Sequence, residues 1–140
     1  MKMPEFKIGM STTLQRKITE KEAAFDYGTG VLKSLLDTPS TVKLVIQAAS
    51  KMIDPVLPEG LVSIGKGINV IHMEPVPVGI TITVEVTLKE VDKNKLLFEF
   101  VVYDELSEVA RGHHERYIVS KDIIEKKAKD RLERLSGFNI

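Results

Sequence analysis

The run T-P-S-T-V-K-L-V-I-Q-A-A-S-K-M-I-D-P, residues 38–55, is bounded at both ends by helix punctuation. Thr38 is a favoured N-cap type, and Pro39 fits the first turn because its missing N–H would have had no intrahelical partner there. Pro55 marks the stop, since a proline pushes the residue before it out of the α region. Between them Val42, Val45, Ile46, Ala49 and Ile53 recur at helical spacing. Leu44, Ala48 and Met52 widen that stripe, which leaves Lys43, Gln47, Ser50 and Lys51 as the polar exceptions. A helix this apolar is expected to be buried on most sides, so the rest of the chain has to cover it.

The flanking sequence supplies strands. Residues 12–19 read as a weak first strand. Thr19 with Glu22 forms a capping-box pattern that predicts a short helix over Ala23, Ala24 and Phe25, broken at Gly28-Thr29-Gly30. Residues 31–36 form a short apolar passage into the main helix. Residues 61–74 read as one long strand with a bulge at Gly65-Lys66-Gly67, beyond which Ile68, Val70 and His72 share a face. After the stiff loop 75–79, residues 80–91 alternate strictly, with Ile80, Ile82, Val84, Val86 and Leu88 on one side. A turn at 92–95, a strand at 96–103, a turn at 104–107 and a strand at 108–119 follow. Ser120 is expected to cap a charged helix over about 121–136. Short turns imply antiparallel neighbours. An antiparallel sheet with one apolar face finds its natural cover in the apolar helix, which predicts an α+β fold: a curved sheet wrapped around a helix at about residues 39–53.

Composition narrows the function classes. A length of 140 residues is the size of one domain, with its core at about 12–120. There is no cysteine, which removes disulfides and thiolate metal sites and leaves a cytoplasmic location as the expectation. Residues 1–5 are not followed by the apolar run of a signal peptide, and no window approaches a membrane span. Lysine plus arginine equals aspartate plus glutamate at 20 each, giving no general pull toward nucleic acid or anionic lipid.

Few residues carry candidate chemistry. His72 lies on the apolar face of its strand; it reads either as a hydrogen-bonded core histidine or as a general base. His113 and His114 are strand neighbours and face opposite ways, which argues against a shared metal. Thr38 can cap the helix or present its hydroxyl to a substrate at the helix N-terminus, where backbone N–H groups suit a carbonyl oxygen. The two uses compete for one hydroxyl. Gly65-Lys66-Gly67 lacks the spacing of a phosphate loop. The mixed charges at 125–131 read as a solvated helix face.

Taken together, several pieces resemble the hotdog fold and, within it, the fluoroacetyl-CoA thioesterase branch. They are Thr38-Pro39 opening the helix, the A-A-x-K-x-x-x-P-x-L-P-E-G run at 48–60, I-N-V-I-H followed by P-V-G, and G-H-H-E-R at 112–116. The resemblance covers roughly residues 14–120. It implies a homodimer whose sheets extend one another, an acyl-CoA ligand, and no metal or separate cofactor beyond the coenzyme A of the substrate. It also implies catalytic roles for Thr38 and His72 and substrate contacts for Gly79, His114 and Arg116. The branch places a glutamate eight residues after the threonine, where this chain has Ile46; Glu74 and Asp37 are the candidate substitutes. The expected activity is hydrolysis of a small acyl-CoA thioester. The alternative is a hotdog protein that binds acyl-CoA without efficient hydrolysis. A hydratase ranks last, because no Asp/His pair is arranged for it.

Overall fold

The structure, a computed structural model, describes residues 3–23 and 34–137. In chain order it contains β1 (Ser11–Lys17), a 3-10 turn (Glu20–Glu22), α1 (Thr38–Ile53), a second 3-10 turn (Asp54–Val56), β2 (Leu61–His72), β3 (Thr81–Asp92), β4 (Lys95–Tyr103), β5 (Glu108–Ser120) and α2 (Lys121–Gly137). The strands form one antiparallel sheet in the order β1-β3-β4-β5-β2. The sheet curves around α1, as the patterning predicts.

Alternation explains the core. Ile82, Val84, Val86 and Leu88 of β3 and Leu96, Phe98, Phe100 and Val102 of β4 are fully buried. They meet in register as Val84 opposite Val102, Val86 opposite Phe100 and Leu88 opposite Phe98. From α1, Leu44, Val45, Ala48, Ala49 and Ile53 close over them. The alanines let the helix approach the sheet, and each fully buried large side chain contributes about 1.5–3 kcal/mol. The buried stripe is narrower than expected: Val42 and Ile46 are only half-buried, at its margin. Ser120 caps α2, its hydroxyl accepting from the Ile123 amide at 3.3 Å. No residue of α2 is buried, and no helix of the described residues is long and apolar enough to cross a membrane.

Two departures from the sequence reading bear on the site. The N-cap of α1 is Asp37, not Thr38: its carboxylate accepts from the Ser40 amide at 2.6 Å, and Thr38 and Pro39 are the first helical residues. Strand β2 stops at His72 rather than at 74, because the Met73 and Glu74 amides both donate to the Val109 carbonyl. The bulge between Gly65 and Gly67 is where the glycines placed it. The Thr19–Glu22 capping box forms, but it opens a single 3-10 turn that ends at Ala23. Ala24, Phe25 and the Gly28-Thr29-Gly30 break lie outside the described residues.

Candidate active site

Two tethers bring the start of α1 to the end of β2. The segment before α1 pairs with the proline-rich loop: Leu36 N–H donates to Val76 O, and Val78 N–H donates to Ser34 O, both at 2.8 Å. The Asp37 amide is held by Glu22 O at 2.8 Å. From the other side, β5 carries β2 to its last residue, with His72 opposite Ala110. The Thr38 Oγ1 and His72 Nε2 atoms consequently lie 2.8 Å apart.

The cap decides what Thr38 can do. Asp37 accepts the Ser40 amide through its side chain, and its carbonyl accepts both the amide (3.2 Å) and the hydroxyl (2.9 Å) of Thr41. The Thr38 hydroxyl is therefore relieved of capping and turns to the histidine. For the hydroxyl to donate to Nε2, the ring proton must reside on Nδ1. No carboxylate of the described residues hydrogen-bonds His72, so nothing among them orients Nδ1 as an acid does in a triad. Pro39 has no N–H and Ser40's is taken, which leaves the Thr38 amide as the available donor in the first turn.

The pair stands at a cavity of about 550 Å³. Its apolar walls include Leu35, Leu36, Val76, Val109 and Ala110, and its polar groups include Thr38, His72, Asp37 and Glu74. Of the two candidate acids, Asp37 is buried and committed to the cap. Glu74 is exposed and shares the cavity, without a hydrogen bond to His72.

The other predicted residues lie elsewhere. Gly79 has φ +102° and lines a second groove of about 620 Å³, together with Arg16, Lys17 and Lys21. His114 and Arg116 are not exposed for ligand contact in this chain: 2 % and 5 % of their surfaces remain accessible. His114 Nδ1 donates to Gly67 O at 2.9 Å, while its Nε2 accepts from Arg116 Nη1 at 3.2 Å. Arg116 also donates to Ser63 Oγ (3.0 Å) and Ser63 O (2.9 Å), and Ser63 donates to Asp54 at 2.6 Å. Burial pushes the pKa of His114 down, helped by the Arg116 charge and opposed by the Gly67 carbonyl. Burial also lowers that of Arg116, opposed by Asp54. Sequence reasoning missed Asp37 as the cap and the Ser63–Asp54 partners of Arg116. Only the first had a signal, since aspartate before Thr-Pro is itself a favoured cap.

A five-stranded antiparallel sheet curved around one long helix is the hotdog fold. The profile of the FlK family, described as fluoroacetyl-CoA-specific thioesterase, matches residues 18–122, and the chain belongs to this family. A curated relative, the fluoroacetyl-CoA thioesterase of Streptantibioticus cattleyicolor, is 32% identical over 78 residues. That match spans 56% of this chain and 56% of the relative, little more than half of either. A hot-dog-like protein from Thermanaerovibrio acidaminovorans superimposes with a TM-score of 0.86 at 28% identity, over 90% of this chain and 93% of that one. A thioesterase superfamily member from Thermus thermophilus reaches 0.90 at 22% identity, over 96% and 99% of the two chains. The fluoroacetyl-CoA thioesterase FlK reaches 0.82 at 22% identity, over 91% and 98%. At 22% identity these last two speak to fold alone.

Proposed function

We propose that this protein hydrolyses a small acyl-CoA thioester at the Thr38–His72 pair. The 2.8 Å contact between a freed helix-start hydroxyl and a histidine, beside an apolar cavity, carries this reading. Either the Thr38 oxygen or a water held by the pair attacks the thioester carbonyl while His72 Nε2 takes the proton. The C–S bond breaks, and the same proton leaves with the coenzyme A thiol. In the threonine route, water then cleaves the acyl-threonine ester and releases the acid. The Thr38 amide at the positive end of α1 is the donor for the developing oxyanion. The groove beside Gly79, where Arg16, Lys17 and Lys21 outnumber Glu20 and Glu22, suits the phosphates of coenzyme A, because the Pro75–Gly79 loop walls the cavity at one end and this groove at the other.

A homodimer belongs to this reading. Strand β2 is a 12-residue sheet edge whose one charged residue before His72 is Lys66 at the bulge, which leaves the run from Gly67 to His72 as the uncharged edge for a second copy. Position 46 lies two helical turns from Thr38, about 12 Å along the axis, so a side chain there reaches this Thr38–His72 pair only from a partner. The test is release of free thiol from a panel of short acyl-CoA esters. Turnover that disappears in His72→Ala is expected, and no turnover above buffer on any ester would sink the proposal.

One observation favours a second reading. Ile46 stands where the family pattern has its glutamate, and His72 has no carboxylate partner among the described residues. A chain that binds acyl-CoA without efficient hydrolysis would show calorimetric binding and no product. On that reading, Ile46→Glu should raise hydrolysis.

A further inference from the structure

Strand β2 changes parity halfway along. Leu61, Ser63 and Gly65 stand opposite Ser120, Ile118 and Arg116, whereas Ile68, Val70 and His72 stand opposite His114, Gly112 and Ala110. Residues directly opposite in an antiparallel ladder share a face. The β5 residues from Ala110 to Ile118 at this parity are all buried. Odd positions of β2 thus face α1 before the bulge and even positions face it afterwards. The unpaired extra residue is Lys66. If the strand ran on without a bulge, position 66 would stand opposite Glu115, every later residue would slip by one, and His72 would turn to the outer face, away from Thr38.

The side-chain pattern opposes that slip only weakly. In the observed register Ile68 and Val70 point inward with His72. In the slipped register Asn69, Ile71 and Met73 would take the inward parity, with Met73 past the end of β2, and Ile71 already lies 56% exposed on the outside. Within the strand the observed register offers the core Ile68 and Val70, and the slipped one Ile71 beside Asn69, a difference of one apolar side chain. What distinguishes them further is a set of contacts from β5. His114 holds Gly67 O on one side of the bulge, and Arg116 holds Ser63 on the other. The His113 amide donates to Asn69 Oδ1 at 2.6 Å. Gly112 is approached so closely by Asn69 that a Cβ would lie 2.0 Å from the Asn69 carbonyl oxygen.

We infer that the G-H-H-E-R run of β5 is a register lock for β2, and that Gly112, His114 and Arg116 are positioning residues that keep His72 facing Thr38. The inference rests on the reading of His72 as the working base and deepens it. The four contacts bracket the bulge from position 63 to position 69. The contacts at Gly67 and Asn69 exist only when Lys66 is the looped-out residue, while the Arg116–Ser63 contact anchors the part of β2 before it.

Deleting Lys66 separates a register lock from ordinary structural support. The deletion removes the need for a bulge: Gly65 stays opposite Arg116, Gly67 stays opposite Glu115, and His72 still faces inward. Two readouts apply to each folded variant: the nuclear Overhauser contact between the His72 ring and the Thr38 methyl, and acyl-CoA turnover. The parent and the Lys66 deletion should both show the contact. The double variant His114→Leu/Arg116→Leu should lose it, and kcat/KM should fall by about tenfold or more as the correct register becomes a minor state. Adding the Lys66 deletion to the double variant should restore both. Persistence of the contact in the double variant, or failure of the deletion to restore it in a folded chain, overturns the lock. If the double variant does not fold, the double variant with Lys66 deleted decides: a folded chain that shows the contact upholds the inference, and a chain that still fails to fold overturns it as ordinary structural support. A parent that shows the contact without turnover defeats the thioesterase reading and leaves the lock to be judged on the contact alone.

Discussion

Asp37 and Thr38 are adjacent, yet the structure gives them separable jobs, and exchanging each for alanine should split stability from activity. The Asp37 carboxylate is buried and accepts the Ser40 amide at 2.6 Å. Removing an N-cap of this kind costs about 0.5–2 kcal/mol. For a chain of this length that is a fall in Tm of roughly 2–6 °C. Asp37→Asn keeps an equivalent cap and should recover most of it. Thr38 is exposed, and among the described residues its hydroxyl bonds only His72. Thr38→Ala should therefore move stability by no more than about 0.5 kcal/mol, since alanine is the better helix former and an exposed hydrogen bond is worth little. Its effect on turnover should be far larger, about 10²–10⁴ in kcat, as for a group that meets the reacting atoms. Thermal unfolding by circular dichroism and thiol release from acyl-CoA measure the two halves on the same samples. If Thr38→Ala lowers Tm as much as Asp37→Ala while kcat stays within a few-fold of the parent, Thr38 is a cap after all and the assignment of the hydroxyl to His72 is wrong.

Other consequences can be checked as directly. Gly112→Ala would force a Cβ to 2.0 Å from Asn69 O and 2.8 Å from the Phe100 ring; a loss of about 3 kcal/mol in a urea titration is expected, the upper range for overpacking. The pKa of His114 is lowered in the fold, so the unfolded chain binds more protons below about pH 6.5; its stabilising contribution is complete above that value and declines as pH falls through the folded pKa. Urea midpoints at pH 7.5 and 5.5 should show this decline, and His114→Gln should shrink it. Arg16→Glu and Lys21→Glu each reverse a charge at the groove beside Gly79. Each should raise KM for acyl-CoA by about tenfold, a change of about 1.4 kcal/mol, and leave KM for the matching acyl-pantetheine thioester, which lacks the nucleotide, unchanged.

The fold was largely legible because its signals are local and repeated. Strict alternation in β3, the proline at either end of α1 and the glycines at the β2 bulge each name an element from neighbouring residues alone. The candidate pair was legible only as two residue types, 34 positions apart. Thr38 reads as the cap from sequence because Asp37 and Thr38 are both good caps, and the choice between them depends on where the chain enters from the loop at 76–78. His114 and Arg116 could be picked out as a motif, but their burial could not. A charged residue on a strand looks available to a ligand until the bulge across from it supplies a carbonyl and a serine.

By itself, the sequence determined the apolar helix, the antiparallel strands that cover it and the family to which they belong. These follow from the period of the apolar residues and from turn chemistry, both of which act over a few neighbouring positions. The tertiary structure decided which hydroxyl is free, which face His72 presents, and that the histidine and arginine of β5 grip the bulge of β2. The first depends on where the chain enters α1; the other two depend on the register between strands nearly fifty residues apart, where a one-residue change reverses every side chain.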